Sequence, residues 1–244
     1  MTCVAEATGW YVYGVVESAA PVEVEAVVEG PLAALVDRVP LSEFGEGVLE
    51  QRLNDRAWLE VHAQAHQDVL QAAASAAAVV PFRFGTIYRD AADVRAMLRD
   101  RRDELVAALE RVRGRVELGV KAWASAPEPA REARPASGRA YLEQRLGAQE
   151  RDRRSMQLLA DAARDAHERL RARAEGAVAN RPQPRELTGR DETMILNGAY
   201  LVADEVPLRE EVARLGDEYR GLGVEFEVTG PWPPYNFVAG GEDE

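Results

Sequence analysis

Cysteine and lysine are nearly absent from this sequence. Cys3 is the only cysteine among 244 residues, so an internal disulfide framework is excluded, and the composition fits a reducing cytoplasm. Lys121 is the only lysine, so arginine carries almost all of the positive charge. We attribute this bias to genome composition rather than to function.

Positive charge is in deficit overall, since the formal net charge is −12. An acidic chain repels phosphate backbones, so nucleic acid is not an expected partner. Long hydrophobic runs are missing too. The longest run of low charge, Ala72–Pro81, is far shorter than the roughly 20 apolar residues that span a bilayer. The N-terminus shows no basic segment followed by an apolar core, so we expect neither a secretory signal nor a membrane-lipid partner.

Motifs for catalysis, metals and phosphates are also missing. His62 and His66 lie four residues apart, a spacing that places two imidazoles on one face of a helix. A zinc hydrolase also needs a glutamate after the first histidine, where Ala63 stands, and a third ligand. We therefore expect two histidines on a helix surface. Gly45–Gly47 and Gly221–Gly223 lack a phosphate-binding frame. The sequence predicts no catalytic residue, no cofactor and no metal.

The most informative stretch begins at Met194. Residues Met194–Val202 are apolar on both alternating faces, which predicts a central, covered strand. Gly198 lies inside this strand, where glycine is tolerated if a neighbour must approach closely. A helix follows from Pro207, and Val224–Val228 alternates as a strand with one face in water. The chain then continues as Gly230–Phe237, a proline-rich segment that we expect to be extended and stiff.

The first 114 residues predict an α+β domain with a mixed sheet and helices. Aromatic and β-branched residues indicate strands, and a four-residue apolar spacing indicates helices. Asp90 is suited to cap a helix by accepting hydrogen bonds from free backbone amides. The predicted elements are strands at Trp10–Val16, Val22–Val28 and Leu32–Val36, one long helix from Leu49 to about Ala78, a strand at Phe82–Tyr88 and a helix from Asp90 to Gly114.

Residues 115–244 predict a second domain. Its order of strand, long helix, strand, strand, helix and strand is the split βαβ, or ferredoxin-like, order. Ala124–Gly138 is rich in proline and alanine and predicts a mobile surface loop. The other elements before Met194 are a strand at Arg115–Trp123, the long helix at 139–175 and a possible short strand at Arg185–Asp191.

The long helix at 139–175 carries a broken apolar seam. Its apolar members are Leu142, Leu146, Met156, Ala160, Ala163, Leu170 and Ala174, and the seam is interrupted by Gln149, Arg153 and His167. The interruptions argue against a coiled coil. We expect a helix that lies partly on a sheet and partly in solvent.

Three motifs in this chain resemble the gas vesicle GvpF/GvpL family. They are LNGAYLV at 196–202, TGPWPPYNF at 229–237 and the P-x-R-F-G-T pattern at 81–86. The resemblance implies a cytoplasmic, non-enzymatic accessory protein that supports the assembly of the gas vesicle shell. It also implies that the partners are the small hydrophobic shell subunit GvpA and other accessory proteins.

The candidate partner interface consists of Arg83 and the aromatic residues of the tail, Trp232, Tyr235 and Phe237. Two readings of the tail remain open. It is either a folded edge that packs on the core or an exposed aromatic anchor, since tryptophan and tyrosine dominate interface energetics. The prolines restrict the backbone, so an anchor of this kind loses little entropy on binding.

Two alternatives to an accessory protein remain. An arginine at position 83, together with Asn197, invites comparison with acylphosphatases, enzymes that bind phosphate through Arg and Asn on a ferredoxin-like scaffold. The spacing differs, however, and no phosphate-cradling loop is evident near Arg83. The other alternative is a regulatory module that binds a small molecule, which ferredoxin-like folds often are.

Overall fold

The computed structural model describes residues 7–125 and 137–238, which form two compact α+β units. The first unit contains the chain up to Glu117 together with the segment from Pro231 onward, and the second contains Leu118–Gly230. The sequence placed the boundary near Gly114 and left the tail with the second domain. In the structure the tail returns to the first unit, because Phe237 and Val238 are buried there.

The first unit is built on a sheet in the order β2-β3-β1-β4, with β5 also pairing with β1. All of these pairings are antiparallel. Its elements before the tail are β1 (Thr8–Glu17), β2 (Ala26–Glu29), β3 (Leu32–Pro40), α1 (Leu41–Phe44), α2 (Val48–Arg52), α3 (Arg56–Ala76), β4 (Val80–Pro81), β5 (Ile87–Tyr88), α4 (Ala91–Asp100) and α5 (Arg102–Val112).

The predicted strand at Phe82–Tyr88 is interrupted. Pro81 lies opposite Gly14 of β1, and Ile87 lies opposite Tyr11, so β4 and β5 follow each other along the same edge of β1. Phe82 and Thr86 still bond to the backbone of β1, and the residues between these two form a turn. Gly85 has a φ of 82°, a conformation that side chains with a Cβ rarely adopt and that a regular strand does not contain.

The helix predicted from Leu49 to about Ala78 is also broken. The side chain of Asp55 accepts hydrogen bonds from the backbone nitrogens of Ala57 and Trp58, at 3.1 and 3.3 Å, and thereby starts α3 afresh. The next helix begins as predicted, because Asp90 accepts from the nitrogens of the second and third residues after it, at 2.8 and 2.9 Å. It then divides into α4 and α5 at Arg101.

The second unit has the ferredoxin-like arrangement that the sequence predicted. Its sheet has the order β7-β8-β6-β9, and its helices α6 and α8 connect the strands in the split βαβ pattern. The elements from here to the tail are β6 (Val116–Ala124), α6 (Gly138–Arg171), β7 (Gly176–Ala179), α7 (Arg185–Thr188), β8 (Thr193–Val202), α8 (Val206–Tyr219), a 3-10 turn (Arg220–Leu222), β9 (Val224–Trp232) and α9 (Tyr235–Val238).

Two boundaries in this unit were predicted wrongly. Arg185–Asp191 is not a strand, since Arg185–Thr188 forms α7. The edge strand is β7, at Gly176–Ala179, where the sequence suggested the end of a helix and a loop. It pairs antiparallel with β8, from Gly176 opposite Leu201 to Ala179 opposite Gly198, and this pairing supplies its backbone hydrogen-bond partners. An apolar run of only four residues does not by itself indicate such a pairing.

The central strand of each unit carries its core. In the first unit Val12, Val15 and Val16 of β1 are buried, and in the second unit Tyr200, Leu201 and Val202 of β8 are buried. The prediction that Met194–Val202 is a covered strand is therefore confirmed. No helix in the described ranges is long and apolar enough to cross a membrane. Most of the predicted loop Ala124–Gly138, residues 126–136, lies outside the described residues.

Candidate functional site

The C-terminal tail, predicted to be extended from Gly230 to Phe237, is extended as far as Trp232 and then forms a helical turn. Strand β9 ends at Trp232, and the next two residues, Pro233 and Pro234, are buried. The backbone then turns into α9, and the nitrogen of Tyr235 donates to the carbonyl of Pro233 at 2.8 Å. The three aromatic side chains consequently have different environments. Phe237 is buried, Tyr235 is partly buried and Trp232 keeps 42% of its surface exposed.

A buried carboxyl group holds the tail. Glu117 accepts two hydrogen bonds from Asn236, one from the backbone nitrogen at 2.9 Å and one from Nδ2 at 2.6 Å. Burial raises the pKa of the Glu117 carboxyl, and the two bonds from Asn236 oppose that shift. The tail is thus attached through a group whose ionised form is costly to bury.

Two further contacts complete the attachment. Nη1 of Arg111, on α5, donates to the carbonyl oxygen of Phe237 at 2.9 Å. The Tyr235 ring packs against a core cluster that includes Val16 and Leu70. Burial raises the pKa of Tyr235 to about 12, and the negative charge of Glu117 adds to the shift. The tail therefore belongs to the core of the first unit from Tyr235 onward.

Trp232 lies at the edge of a cleft of about 470 Å³ within the first unit. Pro234 lines the cleft beside it, and the opposite walls come from Ala19–Pro21 and Ala74–Val79. At the rim, Arg113 pairs with Glu17 at 2.7 Å. The cleft has apolar side chains on its walls and the charged groups of Glu17, Arg113 and Arg115 around them.

The substitution Glu117→Gln tests whether the attachment of the tail depends on pH. The pKa of Glu117 is raised in the folded state, so the fold favours the protonated form. Its contribution to stability is full below the unfolded pKa of about 4.3 and is lost as pH rises through the higher folded value. We therefore expect the free energy of unfolding of Glu117→Gln, relative to wild type, to improve between pH 4 and pH 7. Urea denaturation at several pH values measures this difference.

The exposed residue Glu60, on α3, provides the matched control. Glu60→Gln should leave the free energy of unfolding nearly unchanged, because the side chain is exposed and surface substitutions have small effects. A pH-independent difference for Glu117→Gln would contradict a raised pKa of Glu117 in the folded state.

Arg83 lies on the turn between β4 and β5. Phe82 is buried, and the Phe84 ring packs near Tyr11, with 6.1 Å between centroids, while Arg83 is exposed. The alternation expected from the sequence is therefore present. The comparison with acylphosphatases fails on position, because Arg83 belongs to the first unit and not to the ferredoxin-like sheet. Asn197 lies on β8, where its Nδ2 donates to the carbonyl of Arg181 at 3.1 Å.

The turn covers an aromatic cluster that the sequence analysis missed. The hydroxyl of Tyr11 lies 2.8 Å from Nδ1 of His66 and accepts a hydrogen bond from the nitrogen of Gly85 at 3.1 Å. The cluster also contains Tyr13, Phe44, Trp58, His62 and Phe84. Three of its members, Trp58, His62 and His66, recur at every fourth residue of α3, and that spacing was the available signal.

His66 is not the surface residue that the sequence predicted. It is buried, and burial lowers the pKa of its imidazole, so the neutral form is favoured. His62 instead stacks on Trp58, with 4.1 Å between ring centroids, and its Nδ1 lies 2.8 Å from the Trp58 carbonyl oxygen. Within residues 7–125 and 137–238, no three His, Cys, Asp or Glu side chains are grouped as metal ligands. Both histidines therefore serve aromatic packing.

Comparison with known proteins gives a consistent result. The family model described as gas vesicle synthesis protein GvpL/GvpF matches residues 9–239. Gas vesicle protein L of Streptomyces sp. (strain CB03234) is 40% identical over 223 residues, which are 88% of this chain and 83% of that protein. Gas vesicle protein F of the same strain is 30% identical over 261 residues, covering 93% of this chain and 98% of that protein.

A solved structure shows the same fold. The crystal structure of the gas vesicle protein GvpF from Anabaena sp. PCC7120 superposes with a TM-score of 0.67 over 97% of this chain and 98% of that chain. The two sequences are 15% identical, so this likeness concerns the fold alone.

Proposed function

This chain belongs to the gas vesicle GvpL/GvpF family, and from that premise we propose that it is a non-enzymatic accessory protein that supports assembly of the vesicle shell. In this proposal it works in the cytoplasm at the growing vesicle. It binds the small hydrophobic shell subunit GvpA and acts together with other accessory proteins. Catalytic residues, cofactors, metals, nucleic acid and membrane lipid have no part in it.

The observation that carries the proposal is the exposed indole of Trp232. It sits on a proline-flanked backbone next to this cleft, while the rest of the tail is anchored in the core. A rigid aromatic residue that already has its bound conformation loses little entropy when a partner covers it. Arg83, also exposed, is the candidate for a polar contact at the rim of the interface.

The substitution Trp232→Ala tests this proposal. We expect the yield of co-purified shell subunit, from cells that make vesicles, to fall about tenfold, which corresponds to roughly 1.4 kcal/mol of binding free energy. The fold should survive, because the side chain is already partly in water. Quantitative pull-down of tagged protein, with circular dichroism of the purified variant, measures both quantities.

Leu222→Ala is the matched control, because Leu222 is 41% exposed but lies in the 3-10 turn, away from the tail. It should leave the yield unchanged. A folded Trp232→Ala protein that binds normally would remove the tail from the interface. Wild-type protein that associates with no vesicle component would overturn the proposed function itself.

A further inference from the structure

The N-terminal part of α6 carries no buried side chain among the described residues. The buried residues of this helix, Ala162, Ala166 and Leu170, all lie in its last third. Among the described side chains of residues 138–158, none is buried. The expectation that this helix lies partly on a sheet and partly in solvent therefore agrees with the structure. The part of α6 from residue 138 to residue 158 is about 30 Å long at 1.5 Å per residue.

This part of α6 carries an exposed apolar stripe, formed by Leu142, Leu146 and Met156. The three side chains are 60%, 65% and 64% exposed. At 3.6 residues per turn they fall within an arc of about 80°, centred about 120° away from the face that Ala162, Ala166 and Leu170 bury. The stripe is therefore a second face of the helix and not a continuation of the first.

The stripe leads into an apolar groove of about 640 Å³ in the second unit. Met156 belongs to both, and Ala160 continues the line of the stripe into the groove. Met194, Ile195 and Pro182 line the groove beyond α6. Stripe and groove together form one apolar track, longer than the roughly 21 Å that separate positions 142 and 156 along the helix.

The charge around the stripe is opposite to that of the chain. Residues 139–154 contain five arginines and three carboxylates, in a protein whose net charge is −12. Arg139, Arg145 and Arg153 lie within about 60° of the centre of the stripe, closer than any acidic residue of this segment. Arg139 and Arg153 already pair with Glu143 and Glu150, but these pairs are exposed and therefore weak, so carboxylates of a partner can take their place.

We propose that the stripe and groove are a docking surface for an amphipathic α-helix of another protein, one with an apolar face flanked by acidic residues. The apolar face would cover Leu142, Leu146 and Met156 and extend into the groove. The flanking carboxylates would meet the three arginines beside the stripe. Four to five helical turns, about 22–27 Å, match the length of the track. This surface shares no residue with the tail interface, so the inference goes beyond the proposed function.

A second copy of this chain fits the stripe less well. Antiparallel packing of two stripes about Gln149 places Leu142 against Met156 of the other copy, but it also places Arg145 against Arg153 and Leu146 against Asp152. Like charges in register are repulsive, and a leucine facing a carboxylate gains little from burial. The arrangement of charge therefore favours a different, acidic helix as the occupant.

Two synthetic peptides test the proposal. Both are capped 21-residue helices with leucine at heptad positions a and d, one with glutamate and the other with lysine at positions e and g. Like-charge repulsion keeps each peptide from pairing with itself. We expect the glutamate peptide to bind the full chain at least tenfold more tightly than the lysine peptide in a fluorescence anisotropy titration. We also expect its affinity to fall with added salt.

The double variant Leu146→Glu, Met156→Glu should weaken binding of the glutamate peptide at least tenfold. Both positions face solvent, so the fold is retained. Leu158→Glu is the matched control, because Leu158 is 46% exposed on the other side of the same helix, and it should change the affinity less than twofold.

Equal binding of the two peptides, or equal loss in control and double variant, would overturn the proposal. So would concentration-dependent self-association that the double variant abolishes, since a second copy would then be the occupant. None of these readouts uses the shell subunit, so they are independent of the proposed function.

Discussion

Phe237→Ala is expected to lower the free energy of unfolding by about 3–5 kcal/mol, the usual cost of truncating a buried aromatic side chain. Phe237 is buried in the first unit, and Arg111 holds its carbonyl oxygen at 2.9 Å, so the backbone cannot collapse into the space that the ring leaves. The cavity term therefore adds to the lost transfer free energy. Urea denaturation, followed by circular dichroism, measures the effect.

The control for Phe237→Ala is Trp232→Ala, five residues earlier in the same tail. Trp232 is 42% exposed, so its truncation should cost about 1 kcal/mol, near the centre of the range for single substitutions. This contrast answers the question that the sequence left open, because one aromatic residue is part of the core and another remains on the surface. Equal losses at the two positions would mean that the tail is buried or exposed as a whole.

Gly198→Ala is expected to destabilise the second unit by roughly 1–3 kcal/mol, the usual cost of overpacking a core. A Cβ at position 198 would lie 2.5 Å from the hydroxyl oxygen of Tyr200 and 2.6–2.8 Å from two ring carbons. Tyr200 is fully buried, and its hydroxyl lies 2.9 Å from Nδ1 of His167, so the ring cannot move away without losing that contact. Thermal denaturation followed by circular dichroism measures the change.

Gly216→Ala on α8 is the matched control, since a Cβ there meets no atom within 4 Å. That substitution should be stabilising by about 0.5–1 kcal/mol, because alanine loses less backbone entropy than glycine in a helix. If Gly198→Ala were as stable as wild type, Tyr200 would not cover position 198, and the reason for a glycine in this strand would have to be sought elsewhere.

The elements that the sequence predicted correctly depend on local patterns. Met194–Val202 is apolar on both faces, and a strand with that pattern is central in any sheet. Pro207 stands in the first turn of α8 and Asp90 caps α4, because both act on backbone groups within a few residues of themselves. The ferredoxin-like order of the second unit also came from such signals, although its second strand was predicted at Arg185–Asp191 and lies at Gly176–Ala179. The family motifs are equally local, and they indicated the family before any fold was known.

The candidate site was predicted only in part, for the same reason. The sequence pointed to Trp232, Tyr235 and Phe237 but did not distinguish them. Their difference in burial depends on Glu117, which binds Asn236 across 119 residues of sequence, and on Arg111, which binds Phe237 across 126 residues. No pattern of residues around these positions indicates that they form hydrogen bonds with each other. The aromatic cluster under Gly85 was missed likewise, because Tyr11 and His66 are 55 residues apart.

The sequence by itself determined the periodicity of strands and helices, the acidic composition and the family, since each of these follows from composition or from residues close together in the chain. Tertiary structure decided where the regular elements break, as at Asp55 and Gly85, and which side chains stay in water, as Trp232 and Leu146 do. The physical reason is that a side chain is buried only where another part of the protein packs against it, so the residue alone does not determine its burial. An apolar side chain becomes core only where distant parts of the chain fold over it. Along the N-terminal part of α6 the described apolar side chains stay exposed, although their spacing is that of a buried face.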